Sequence, residues 1–379
     1  MVGGGPGAFI GAVHRKAAAL DGEIELVAGA FSSNADKSRQ QGEALMLDPS
    51  RVYGSFQEMA DREAALPEGE RIDFVTIVTP NHVHFSVAKA FIEAGFHVVC
   101  DKPMTNTLED AEVLCRLVKE HDVVFALTHN YTGYPMVKQA REMVRRGTIG
   151  EVRKIIVEYP QGWLARPIER EGHKQAEWRT DPKRAGAGSL GDIGSHAENL
   201  AHYITGLEMD TLCADVTTFV EGRLIDDDVS MLLHYVGGAR GVLHASQISV
   251  GEENNLNIRV HGTEGTLQWF QEHPNWLYHR TADGPEHVYK RGNDYLADVA
   301  KHHSRLPSGH PEAFLEAFAN IYVNAGRTIA AKIAGESPGP FDTDFPTVQD
   351  GAYGVHFILT ALESGRQKGW IDARYMPPE

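Results

Sequence analysis

Between residue 1 and about residue 130 the chain alternates short, apolar, β-branched runs with segments of helical period. This alternation restricts the fold more than any other feature. Residues 23–30, 72–79, 97–101 and 123–128 have strand length and composition. Between them lie helical patterns such as 86–94 and 108–120, the latter with apolar residues recurring at spacings of three and four. Runs that are apolar on both faces and separated by helices imply a parallel sheet covered by helices.

The texture changes after Gly147-Thr148-Ile149-Gly150. Residues 153–158, 229–235, 241–250 and 257–261 alternate polar and apolar with glycine turns between them, which predicts a second, largely antiparallel sheet. A Gly- and Arg-rich stretch (177–190) and a helix near 194–203 interrupt it, and 311–333 and 347–368 read as helices. A chain of 379 residues exceeds what one core organises, so two domains are expected, 1–132 and 133–379.

The balance of 36 basic against 52 acidic residues, net -16, argues against nucleic acid or an anionic membrane as partner. No apolar run reaches the length of a membrane span. Cys100, Cys115 and Cys213 form neither a disulfide framework nor a metal knuckle, which predicts a reduced, cytoplasmic setting. Met1-Val2 implies either a very short first strand or a chain trimmed at its amino end.

In the opening GGGPGAFIGAVHR, Gly3, Gly5 and Ala8 match G-x-G-x-x-G/A, with Pro6, Phe9 and Ile10 in the same turn. Such a turn lets backbone approach a pyrophosphate resting on the first amides of a helix, so a dinucleotide cofactor is expected. The next run ends Phe31-Ser32-Ser33-Asn34 without the acid that usually holds a bare ribose. Ser32, Ser33, Lys37 and Arg39 could accept a 2'-phosphate, although hydroxyls also hold a ribose. NAD and NADP both stay open, with a slight preference for NAD. Thr79-Pro80-Asn81 and His84 follow another strand; Asn81 suits a helix cap, and the turn suits the nicotinamide ribose.

The run VVCDKPM ends a strand at Asp101, Lys102 and Pro103, which places Lys102 at the sheet's carboxyl edge, where ligands bind. In GAGSLGDIGSHAENL, Asp192 and His196 stand a turn apart if a helix begins near Asp192, so a carboxylate and an imidazole can face one cleft as an oriented general base. A helix cap and a surface histidine explain the pair equally well. A zinc site would need a third ligand, and none has recognisable spacing, so no metal is expected.

A glycine loop, a strand ending Asp-Lys-Pro and a glycine-rich Asp-x-x-x-His segment occur here in that order. Together with Trp178-Arg179 and Gly309-His310-Pro311, they resemble the glucose-fructose oxidoreductase / inositol dehydrogenase / MocA (Gfo/Idh/MocA) family over nearly the whole chain. The resemblance implies an α/β fold: a Rossmann dinucleotide-binding domain and a C-terminal α/β domain with a large, mostly antiparallel sheet. It also implies an NAD(P)-dependent enzyme acting on a secondary alcohol of a sugar or cyclitol. In that reading Lys102 bonds the reacting oxygen, His196 is the base and Asp192 orients it. Asn130, Trp178 and Arg179 would join the cofactor contacts, and Tyr131, Arg179 and His310 would bind substrate hydroxyls. A homo-dimer or tetramer is the implied assembly. Asp101 stands where the family usually has glutamate.

Two other readings stay open. Some relatives oxidise a glycoside transiently with bound NAD, eliminate the aglycone, add water and reduce back, and Arg166, Arg170, Lys174, Arg179, Lys183 and Arg184 would suit an anionic sugar. The third is a non-catalytic dinucleotide sensor.

Overall fold

A computed structural model describes residues 1–378. By internal contacts the chain parts into two compact units. The first comprises Met1–Asn130 and Phe318–Ala352; the second comprises Tyr131–Ala317 and Tyr353–Met376. The division expected at 132/133 assigned 318–352 to the carboxyl-terminal domain, whereas its contacts are with the amino-terminal unit.

In the first unit, β1 (Val2–Gly3), β2 (Phe74–Val78), β3 (His97–Cys100) and β4 (Phe125–Leu127) pair side by side, all parallel. Val75, Ile77, Val98, Val99, Cys100, Ala126 and Leu127 are wholly buried, as a strand covered on both faces requires. Helices α1 (Phe9–Ala19), α2 (Ala35–Ala44), α3 (Phe56–Ala64), α4 (Asn81–Glu93) and α5 (Leu108–Glu120) connect them. Helix α5 starts where local chemistry favours it. The Thr107 side chain accepts from Asp110 N at 3.2 Å, and Glu109 and Asp110 meet the positive end of the helix. Asn81 does not cap α4: it is the helix's first residue, Pro80 precedes it, and no side-chain cap forms.

The strand expected at 23–30 is reduced to two isolated parallel bridges, Val2↔Ala30 and Gly29↔Val52. Ala30 is held by its amide to Met1 O and by its carbonyl from Gly3 N, both at 3.0 Å. Residues 23–27 lie at the surface without a strand alongside, so their β propensity is not converted into a ladder.

The second unit is built on nine strands: β5 (Val152–Pro160), β6 (Met209–Thr217), β7 (Asp228–Tyr235), β8 (Arg240–Ser246), β9 (Asn257–Gly262), β10 (Thr266–Phe270), β11 (Trp276–Arg280), β12 (His287–Lys290) and β13 (Ile371–Asp372). Their order is β12-β11-β10-β9-β5-β8-β7-β6-β13. Every neighbouring pair is antiparallel except β5 and β8, which run parallel from Lys154↔Arg240 to Pro160↔Ser246. Alternate residues of the central strands, including Ile155, Val157, Leu243, Ala245, Ile258 and Val260, are buried. In the same core lie Met136, Val137 and Ala140 of α6 (Pro135–Arg145) and Ala197, Leu200 and Ile204 of α9 (Ser195–Thr205). Each large aliphatic side chain so covered contributes about 1.5–3 kcal/mol. Short helices α7 (Lys174–Arg179), α8 (Pro182–Ala185) and α10 (Asp298–His302) lie in the connections.

Two long helices close the chain, α11 (Phe314–Ala334) and α12 (Val348–Gln367). Most of α11 belongs to the first unit. There the rings of Phe318 and Tyr322 meet His14 of α1 edge-on at 4.6 and 5.8 Å, and His14 Nδ1 lies 2.6 Å from the Tyr322 hydroxyl. Among the described residues no helix is long and apolar enough to cross a membrane.

Candidate active site

The glycine turn is bare for a steric reason. Gly3 has φ +87°, and a Cβ there would stand 2.7 Å from Val78 O. A Cβ on Gly11 would overlap the Cα of Gly4, so Gly11, one turn into α1, allows the close approach of helix and loop. Ala8, which satisfies the sequence pattern, instead closes the turn through its amide to Gly5 O at 3.0 Å. Helix α1 carries no acid in its first turn and no side-chain cap, and Phe9 is exposed. Its first amides therefore suit an anionic group.

At the carboxyl edge of the same sheet, Thr79 Oγ1, Asn106 Oδ1 and Asn130 Nδ2 are buried without a protein partner. Leaving such a group unsatisfied costs about 1–3 kcal/mol, so a cluster of them fits the ribose and amide of a dinucleotide. Thr79 and Asn130 were expected on sequence grounds; Asn106, four residues past Lys102, was not. Past the bridge at Ala30, Ser32 Oγ accepts from Asn34 N at 3.2 Å, and the Asn34 side chain accepts from Lys37 N at 3.0 Å to start α2.

Lys102 follows β3 at the same edge, with a cis peptide to Pro103. Asp101 fixes this turn: its Oδ1 accepts from Lys102 N at 2.9 Å and from Thr128 Oγ1 at 3.1 Å. Its other oxygen lies 3.9 Å from His14 Nε2. His84, expected among the cofactor contacts, is wholly buried, with Nδ1 2.8 Å from Pro103 O and Nε2 2.9 Å from Thr79 O. It ties together the turns after β2 and β3, which makes it a positioning residue. His129, buried near the Lys102 charge, is pushed down to about 3 by desolvation and then by that charge, and is therefore neutral.

In the second unit Asp192 and His196 lie on one continuous helical stretch, but the geometry differs from a helix starting at Asp192. Leu190–Gly194 form a π-helical turn and α9 begins at Ser195. Such widened turns frequently mark functional sites. The stretch is anchored from outside by Asp226, whose Oδ1 accepts from Gly188 N (2.7 Å) and whose Oδ2 accepts from Leu190 N (2.7 Å) and Ser189 Oγ (3.0 Å). Asp226 is buried, and its carboxyl is held above the usual range by desolvation, with the three bonds pulling the other way.

Asp192 Oδ2 accepts from Gln247 Nε2 at 2.8 Å and from Arg179 Nε at 3.2 Å. The Arg179 guanidinium also lies over the Trp178 ring at 4.3 Å. Arg179, expected to contact the cofactor, thus holds Asp192, and Trp178, expected beside it, lies under the Arg179 guanidinium. The buried imidazole of His196 meets the Tyr131 ring edge-on at 4.8 Å. Tyr131 in turn bonds the Tyr159 hydroxyl, and Tyr159 donates to Asn254 Oδ1 at 2.7 Å. Burial raises the pKa of both phenols, and the nearby Asp192 charge raises them further, so both stay protonated.

His310 sits exposed on a loop held by Arg291, which pairs with the buried Glu312 at 2.7 Å and donates to the His310 carbonyl. Of the basic stretch, Arg170 is engaged with Glu221 O at 2.7 Å.

Asp226, Tyr159, Gln247 and Asn254 escaped sequence reasoning. Asp226 had a signal: the triplet Asp226-Asp227-Asp228 adjoins an apolar strand. Its members do three jobs, the first capping the 188–190 turn, the second pairing with buried Arg223 at 3.1 Å, and the third with His244 at 3.3 Å.

Residues 1–129 match the family model "Oxidoreductase family, NAD-binding Rossmann fold", and residues 137–268 match the "GFO/IDH/MocA C-terminal domain". The oxidoreductase YfiI of Bacillus subtilis is 31% identical over 98% of this chain and 95% of its own. The chain belongs to the Gfo/Idh/MocA oxidoreductase family. Its NAD-binding Rossmann unit and large mixed sheet are those of the family. An oxidoreductase from Sinorhizobium meliloti superposes with a TM-score of 0.89 at 47% identity, covering 98% of both chains. An inositol dehydrogenase homolog from Azotobacter vinelandii, solved with NADH and myo-inositol, gives 0.91 at 34% identity, covering 98% of this chain and 96% of that one.

Proposed function

We propose that this protein oxidises, reversibly, a secondary alcohol of a sugar or cyclitol with NAD or NADP. The observation that carries the reading is the Asp192/His196/Tyr131 cluster: a histidine packed edge-on against a tyrosine, with a carboxylate paired to Arg179 on the same helical stretch. The glycine turn and the buried, unpartnered polar atoms of Thr79, Asn106 and Asn130 support a dinucleotide as cofactor. When bound, the nicotinamide supplies the two-electron acceptor for the hydride leaving the carbinol carbon. His196 takes the hydroxyl proton in the same step, and the Asp192 charge favours the imidazolium that results. Lys102 donates a hydrogen bond to the reacting oxygen, its backbone fixed by Asp101. Tyr131 binds a further substrate hydroxyl.

A panel of cyclitols, aldoses and chromogenic glycosides, each with NAD and with NADP, tests the reading by absorbance of the reduced cofactor. Stoichiometric reduction with a polyol is expected, and Lys102→Met should lose turnover by at least 10³-fold while retaining cofactor binding, on the scale of general acid–base contributions. Aglycone release without net reduction would replace the dehydrogenase by the glycosidase. Normal turnover in Lys102→Met would remove the lysine from the mechanism.

A further inference from the structure

The second unit contains a closed hydrogen-bond circuit whose direction can be read from the chemistry of its members. Trp163 Nε1 lies 3.0 Å from Gln161 Oε1. An indole N–H can only donate, so the Gln161 oxygen is the acceptor there and its amide nitrogen points onward. That nitrogen lies 2.7 Å from Asn254 Oδ1, which fixes the Asn254 amide in turn. Asn254 Oδ1 also lies 2.7 Å from the Tyr159 hydroxyl. A carboxamide oxygen can only accept, so the Tyr159 proton is committed to it. The short contact between Tyr159 and Tyr131 must then be made by the Tyr131 proton. The circuit closes where Asn254 Nδ2 donates to the Tyr131 oxygen at 3.4 Å.

Every donor and acceptor in this circuit follows from one indole N–H three hydrogen bonds away from Tyr131, the ring against which His196 packs. Tyr131 emerges with its proton engaged and its oxygen able to accept once more. Both phenols are protonated, so ionisation does not reverse the direction. The His196 ring lies against the ring of that same tyrosine.

We infer that Trp163, Gln161, Asn254 and Tyr159 set the polarity of Tyr131, making it a hydrogen-bond acceptor that selects a free hydroxyl on the substrate over an ether, carbonyl or fluorine at the same position. This rests on the reading of the His196 region as the substrate site. A site that accepts from a substrate hydroxyl discriminates strongly against an analogue lacking the proton, because two acceptors are then left facing each other. Trp163 and Gln161 touch neither His196 nor Tyr131 in this circuit, so they are positioning residues.

Two measurements test it. The first is kcat/KM for the best polyol and its monodeoxyfluoro analogues in the wild type, Tyr131→Phe and Trp163→Phe. At one ring position the wild type should prefer hydroxyl over fluorine at least tenfold, falling to threefold or less in Tyr131→Phe and in Trp163→Phe, with cofactor Kd unchanged. A preference that survives in both variants overturns the inference. The second needs no turnover: the 13Cζ resonances of labelled tyrosine, compared between the wild type and Trp163→Phe. Tyr131 and Tyr159 should both shift although neither touches Trp163. Unmoved resonances in a folded variant refute the circuit. A wild type that turns over no polyol, with both tyrosines shifting, overturns the functional reading alone.

Discussion

Replacing Asp226 with alanine should both loosen the second unit and disable the enzyme. The carboxylate satisfies three donors at once, Gly188 N, Leu190 N and Ser189 Oγ, at 2.7 to 3.0 Å. Each donor left without a partner costs roughly 1–3 kcal/mol. Against this, alanine removes a buried charge that desolvation penalises, since the carboxyl is held above its usual range. The net loss is about 3 kcal/mol. For a unit of roughly two hundred residues, one kcal/mol moves the melting temperature by about 2–4 °C, so a fall of about 6–12 °C is expected. The catalytic effect comes through geometry: the freed turn carries Asp192 and His196, and a displacement near 1 Å costs on the order of 10²-fold in rate. Thermal unfolding and kcat/KM measured below the new transition separate the two effects. Asp226→Asn, which keeps an acceptor and sheds the buried charge, should lie between wild type and alanine in both. An alanine variant melting within 2 °C of wild type, or retaining kcat/KM within twofold, would refute the anchoring role.

Gly3→Ala places a Cβ 2.7 Å from Val78 O at φ +87°. The left-handed backbone alone costs roughly 1–2 kcal/mol, so cofactor Kd by titration calorimetry should rise at least tenfold. Acid should weaken the first unit before the carboxylates titrate. His14 and His129 are pushed down by burial to about 4 and about 3, whereas unfolded histidine binds its proton near 6.5. Between about pH 4 and 6.5 the unfolded chain thus holds more protons and stability rises with pH, by ~3 kcal/mol for His14 across that window. Urea midpoints at pH 5 and 7 should differ accordingly, and His14→Gln should reduce the difference without abolishing it, since His129 keeps its share. Arg223 is buried between Asp227 and Glu169, each 3.1 Å away. Arg223→Met strands those carboxylates and should cost about 3–5 kcal/mol by denaturant titration.

What could be read from the sequence follows physical rules. Helix α5 is legible to its end residues because apolar residues recur at three and four without a break, and the Thr107 cap found in the structure explains why it starts there. Strands β2, β3 and β4 were legible because a doubly covered strand needs an uninterrupted apolar run. The 23–30 segment looks similar in composition, but a ladder depends on what lies beside it, and only Ala30 and Gly29 find a neighbour. Strand β6 was missed, for its Thr211, Asp215 and Thr217 dilute the apolar signal on the face away from the core. Parallel pairing of β5 with β8 is a property of topology, invisible to periodicity. At the site, Lys102, Asp192 and His196 stood out by motif. Their supports arrive from strands or loops remote in sequence: Asp226 is marked only by the acidic triplet before an apolar strand, and nothing local distinguishes Gln247 and Asn254 from other polar residues. Asn106 is in the same position: its importance lies in a buried oxygen left unmatched, which only three dimensions reveal.

The first unit is discontinuous in the chain, since Phe318–Ala352 completes it. During synthesis at about 5–20 residues per second, its leading 130 residues emerge well before the helix that brings Phe318 and Tyr322 to His14. For some ten seconds or more the nascent nucleotide-binding half exposes the apolar surface meant for α11. A fragment ending at Asn130 should accordingly aggregate or recruit chaperones, and adding the 318–352 segment in trans should restore a compact, cofactor-binding fold.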